Sequence, residues 1–167
     1  MVAKTGLDRD KAPVVAGVRI LIIEARFYRE LADALAEGAM AAIAAAGGTH
    51  QRIGVPGALE IPQALQLACQ VGGLGRPEGS SRFQGAVALG CVIRGETTHY
   101  DTVCSMSNHW LMHVATAYGV AVGNGILTVE KETQAWARAK GGVDNKGGDA
   151  ARAALRLVEI ARALAQG

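Results

Sequence analysis

Two runs of this chain are apolar at almost every position, residues 18–24 (VRILIIE) and residues 85–93 (GAVALGCVI), and they predict strands buried on both faces. Between them the period changes. Over residues 28–46, Leu31, Leu35 and Ile43 recur at helical spacing among alanines, with Glu30, Asp33 and Glu37 on the polar face and Gly47-Gly48 as a stop. A weaker strand is predicted at residues 50–55, then a short helix over 63–70 entered through Pro62. A helix over 101–118, a strand over 120–128 and helices over 131–140 and 146–165 complete the pattern.

Strands that are nearly all apolar and alternate with helices predict parallel β-α-β units with right-handed crossovers. The expected architecture is α/β: a three-layer α/β/α sandwich around a four-stranded parallel sheet. Residues 71–85, rich in Gly, Ser and charge, read as a surface connection, and residues 1–17 as an arm preceding a domain over 18–167.

Composition narrows the function classes. Half of the 167 residues are hydrophobic and 19% charged, which excludes global disorder and fits one domain. The longest apolar runs fall far short of the ~20 residues that span a bilayer, so no membrane role is expected. A net charge of +2 from dispersed basic residues, with only 4% aromatics, gives no basis for a nucleic-acid partner. Cys69, Cys91 and Cys104 form no C-x-x-C pair and read as reduced, packed thiols. The first 17 residues lack the continuous apolar core of a secretory signal, and a cytoplasmic location is expected.

Open parallel sheets bind ligands beyond the carboxyl ends of their strands, so chemistry is expected in those segments. Phe27 and Tyr28 follow the first strand, where an aromatic either covers a planar ligand or staples a helix to the sheet. Glu60 follows the second, in PGALEIP, as an acceptor for substrate hydroxyls or as a helix cap. The third strand leads into VIRGETTHYD, residues 92–101. It offers backbone N–H groups around Gly95, the hydroxyls of Thr97 and Thr98, the cation of Arg94 and a helix start near Asp101. This reads as a cradle for a small phosphate ester, because the GxxxxGK[ST] order of a nucleoside-triphosphate loop is missing. His99 in the same turn either transfers protons near neutral pH or bonds the backbone at the helix start.

Arg138 and Lys146, near the last helix junction, are either phosphate ligands or solvated surface. His109 and His113 share a helix face, but the glutamate of HExxH is absent and no third ligand is evident, so no metal is expected. No G-x-S-x-G elbow occurs and nothing marks a cysteine as nucleophile. Trp110 and Trp136 read as core or interface anchors.

Six ordered segments together resemble the lumazine synthase family: ARFY at 25–28, PGALEIP at 56–62, GCVIRGETTHYD at 90–101, NGILTVE at 124–130, QAWARA at 134–139 and NKGGDAA at 145–151. The similarity spans about residues 18–165 and implies a flavodoxin-like form of the predicted fold. By this resemblance Phe27 stacks on a pyrimidine ring, and Ala58, Leu59 and Glu60 hold a ribityl chain. Val92 and Ile93 meet the ring through their backbone, Gly95, Glu96 and Thr97 bind a phosphate, and His99 transfers protons. It further implies that Arg138 binds the phosphate with Lys146 near it. Asn124, Arg138 and Lys146 would reach the site from a neighbouring subunit of a homopentamer, or of a larger assembly of pentamers.

The implied reaction condenses 5-amino-6-(D-ribitylamino)uracil with 3,4-dihydroxy-2-butanone 4-phosphate to 6,7-dimethyl-8-ribityllumazine, in riboflavin biosynthesis, and calls for no cofactor. At Asn124 the chain departs from the many relatives that carry phenylalanine, and an amide cannot stack on a ring. Glu96 is expected to point away from the phosphate, leaving the binding to its backbone N–H. The rival reading is a non-catalytic flavin or lumazine binder, or a shell-forming protein. A receiver or electron-transfer protein fits less well, because EARFY lacks an acidic cluster after the first strand.

Overall fold

The two mostly apolar runs become the inner strands of a four-stranded parallel sheet of order β2-β1-β3-β4, with β1 at Arg19–Ala25, β2 at Thr49–Val55, β3 at Gly85–Ile93 and β4 at Ala121–Val129. These come from a computed structural model that describes residues 13–75, 80–142 and 145–166. The helices are α1 (Arg29–Ala45), α2 (Glu60–Gln70), α3 (His99–Tyr118), α4 (Glu132–Ala139) and α5 (Lys146–Ala165).

Alternation along β1 and β3 splits the interior into two cores. Ile20, Ile22, Val87 and Leu89 face α1, α4 and α5, where they meet Leu35, Ile43, Ala135 and Leu155. Leu21, Ile23, Ala86 and Ala88 face α2 and α3, where they meet Leu65, Leu111 and Val114. Each fully buried Leu or Ile contributes about 1.5–3 kcal/mol relative to exposure, several times the worth of a surface ion pair. The apolar pattern therefore sets the layers. The predicted three-layer α/β/α sandwich is the observed fold.

Small residues bring the helices of the first core close together. A Cβ on Gly147 would lie 1.9 Å from the Leu35 carbonyl oxygen, so α5 crosses α1 at a distance only glycine permits. At this crossing Asn145, 2% exposed, makes three side-chain hydrogen bonds. Its amide nitrogen donates to the carbonyls of Ala34 at 2.7 Å and Ala139 at 2.8 Å, and its oxygen accepts the Gly148 N–H at 2.9 Å as the α5 cap. One satisfied buried amide thus ties together α1, α4 and α5, and with them the helices that carry Arg138 and Lys146.

Several element boundaries differ from expectation. The second helix starts at Glu60 rather than residue 63, with Pro62 inside its first turn, where the missing N–H costs no helical bond. The third starts at His99, two residues before Asp101. β4 runs one residue later than expected and α4 is shorter by one residue at each end. The connection over 71–85 is not all surface: Leu74 and Phe83 are buried in the second core, while residues 76–79 lie outside the described residues. Of the arm expected over 1–17, residues 1–12 also lie outside them, and Val15 packs into the first core with its N–H bonded to the Ala46 carbonyl. Trp110 is 47% exposed, which removes the core half of its reading as a core or interface anchor.

Candidate active site

The strand order creates the site. From β1 the chain turns into α1 on one face of the sheet, and from the adjacent β3 it turns into α3 on the other, so the two exits diverge and leave a crevice at the carboxyl ends. A cavity of about 340 Å³ opens there. Its walls come from three strand exits: Phe27 and Tyr28 after β1, Gly57 to Glu60 after β2, and the end of β3 with the turn that leads through His99 into α3.

Each wall offers a different chemistry. Phe27 is 73% exposed, its ring meeting Tyr28 edge to face at 5.0 Å, while Tyr28 packs against the first core. Phe27 therefore presents an aromatic surface to the cavity and Tyr28 does the stapling. Glu60, in the first turn of α2, accepts the Gly57 N–H at 2.9 Å through Oε2, which fixes the carboxylate at the cavity wall. Gly57 precedes α2, so this bond is not a cap of the helix, and the other Glu60 oxygen bonds no group among the described residues.

After β3 the chain is exposed. The N–H groups of Gly95, Glu96, Thr97 and Thr98 donate to no group among the described residues, and nothing lies within 4 Å of where a Gly95 Cβ would stand. Thr98 caps α3 without a side-chain bond, and His99 is the first helical residue. Free N–H groups at a helix start are a physical match to an anion. Glu96 is exposed and lies outside the cavity lining.

Arg94 corrects the expected cradle. Its Nε donates to Glu130 at 2.7 Å, its terminal nitrogens to Asp101 at 3.3 and 3.4 Å, and its guanidinium sits 4.1 Å from the Tyr100 ring centroid. The hydrogen bonds it donates to Asp101 and Glu130 raise its pKa, and the cation is occupied by carboxylates.

Four cavity residues were not anticipated as site residues: Gly57, Cys91, Tyr100 and Val103. The first three each adjoin a residue that was, and Val103 stands one helical turn beyond His99, a spacing that could have found it. Burial pushes the Cys91 thiol up to about 11, which keeps it protonated near neutral pH. Burial also raises Tyr28 and Tyr100. At the end of β1, Arg52 grips the buried Glu24 through Nε at 3.1 Å and Nη2 at 2.8 Å, and Arg26 reaches Asp33 at 2.6 Å. The Arg26 bond, opposed by burial and aided by Arg52, holds the Asp33 carboxyl below its ordinary range.

Asn124, Arg138 and Lys146 do not line this cavity. Asn124 lies on β4 and bonds Asn108 of α3, Arg138 donates to the Gln134 carbonyl of its own helix, and Lys146 pairs with Asp149 at 2.8 Å. His109 and His113 stack with ring centroids 6.4 Å apart, and no cluster of three metal-ligating side chains occurs among the described residues.

Comparison with known proteins decides the family. The profile for 6,7-dimethyl-8-ribityllumazine synthase matches residues 17–162. The chain belongs to the lumazine synthase family. It is 50% identical over 165 residues to 6,7-dimethyl-8-ribityllumazine synthase 1 of Rhodopseudomonas palustris, covering 95% of this chain and 98% of that one. It is 52% identical over 147 residues to 6,7-dimethyl-8-ribityllumazine synthase 1 of Rhizobium meliloti, with 88% and 94% covered. The Azorhizobium caulinodans 6,7-dimethyl-8-ribityllumazine synthase is 52% identical over 148 residues, with 89% of each chain covered. Among the described residues no helix is long and apolar enough to cross a membrane.

Proposed function

We propose that this lumazine synthase family chain condenses 5-amino-6-(D-ribitylamino)uracil with 3,4-dihydroxy-2-butanone 4-phosphate, giving 6,7-dimethyl-8-ribityllumazine, phosphate and two waters, as a step of riboflavin biosynthesis. The observation that carries this reading is the family match over residues 17–162, joined to a cavity that holds Phe27, Glu60 and His99 on three different strand exits.

The exposed Phe27 ring covers the pyrimidine, the backbone of Val92 and Ile93 meets its edge, and Ala58, Leu59 and Glu60 seat the ribityl chain. The phosphate lies against the N–H groups of Gly95, Glu96 and Thr97 at the α3 start. The amine and the ketone form an imine with loss of water. Proton removal then expels phosphate and leaves an enol, whose tautomer closes the second ring with loss of the other water. His99 moves these protons, worth ~10²–10⁴-fold, and holding both substrates in one cavity supplies a further part. No step transfers electrons to or from a cofactor.

Asn124, Arg138 and Lys146 serve the cavity of an adjacent copy, so the working unit is a homo-oligomer, a pentamer or an assembly of pentamers, located in the cytoplasm. Purified protein mixed with both substrates is expected to produce lumazine fluorescence together with stoichiometric phosphate. Substrate binding without either signal would replace catalysis by the binding-protein reading. Native mass spectrometry measures the assembly, and a monomer with full activity would remove the shared site.

A further inference from the structure

Arg94 is held by groups from two segments around the exposed turn at residues 95–98, the end of β4 and the start of α3. Its backbone N–H donates to the Val129 carbonyl at the end of β4 at 3.0 Å. Its side chain bonds Glu130 beyond β4 and Asp101 in the first turn of α3, and it stacks over Tyr100, which lines the cavity beside His99. A planar guanidinium can bond two carboxylates and stack on a ring at the same time, which an ammonium cannot do.

Charge points the same way. One guanidinium faces two carboxylates, so the cluster carries one excess negative charge beside the N–H groups offered to an anion. Without the guanidinium the excess is two, and both carboxylates oppose the anion directly.

We propose that Arg94 is a positioning residue for the anion-binding turn: it pins residues 95–98 between β4 and α3 and screens Asp101 and Glu130 from the phosphate of the substrate. This rests on the function proposed above and adds a role for Arg94 within it. Arg94 touches neither substrate; it acts through the turn and through Tyr100.

The test varies each substrate separately on the assembled protein. Arg94→Gln is expected to raise KM for the phosphorylated ketone about 10-fold, with KM for the ribityl pyrimidine within about 2-fold of wild type and an unchanged native mass. Arg94→Lys keeps the charge but loses the fork, and about a 3-fold rise for the same substrate is expected; it serves if Arg94→Gln does not assemble. A rise in both KM values together, or in neither, overturns the proposal.

Inorganic phosphate supplies a readout independent of turnover. Millimolar phosphate is expected to raise the thermal midpoint of the wild type, and Arg94→Gln to lose at least about half of that rise. Equal rises overturn the role of Arg94. Absent turnover with this difference intact removes the proposed reaction and keeps the anion role.

Discussion

The Asn124 amide on β4 donates to the Asn108 side-chain oxygen on α3 at 2.6 Å, while its own oxygen accepts the Ile126 N–H at 3.0 Å. Both ends of the amide are therefore committed. Asn124→Phe gives up these bonds, at a cost of about 1 kcal/mol, and offers a ring face instead. KM for the ribityl pyrimidine is expected to fall roughly 3–10-fold in steady-state kinetics. An unchanged KM would show that this position does not reach the ring.

Phe27 separates function from stability because its side chain is mostly exposed. Phe27→Ala is expected to change unfolding free energy by less than about 0.5 kcal/mol while raising KM for the ribityl pyrimidine roughly 10-fold or more. Denaturant melts and kinetics on one preparation check the pair. A large stability loss with intact KM would return Phe27 to the role of a staple.

His99→Ala is expected to keep slow turnover, with kcat lowered about 10²–10⁴-fold, because positioning survives the loss of the imidazole. Arg138→Ala is expected to act mainly on KM for the phosphorylated ketone. Subunits of the two variants, mixed and refolded together, should regenerate up to about a quarter of native sites if each site draws His99 and Arg138 from different chains. Mixtures no more active than their components would place both residues in one chain's site.

Cys91 is among the cavity residues, and its thiol pKa is pushed to about 11, first by burial and then by Cys104 and Glu132. Mapping with a thiol reagent at pH 8 is expected to find it nearly unlabelled in the folded protein and prompt to react after denaturation. The folded value lies above the unfolded one, so its contribution to stability is intact below pH 9 and declines as pH rises toward about 11. Rapid labelling at pH 8 would contradict the buried environment.

The layers of this fold were legible because burial on both faces leaves a strand no polar position, and Ile20 to Ile23 carry that signature without help from other segments. Helix starts were less legible. α2 begins before Pro62 and α3 before Asp101, since a first turn needs no internal N–H bonds and so imposes little on its residue types.

By itself the sequence determined which segments exit the sheet with chemistry to offer: Phe27, Glu60 and the turn before His99. The tertiary structure alone decided how those exits meet and what occupies each charge. Arg94 looks like an anion ligand in the chain, yet folding delivers Asp101 from 7 residues away and Glu130 from 36 away onto its guanidinium. Local pattern records burial, which each residue experiences individually, whereas charge pairing depends on which distant segments the strand order makes neighbours.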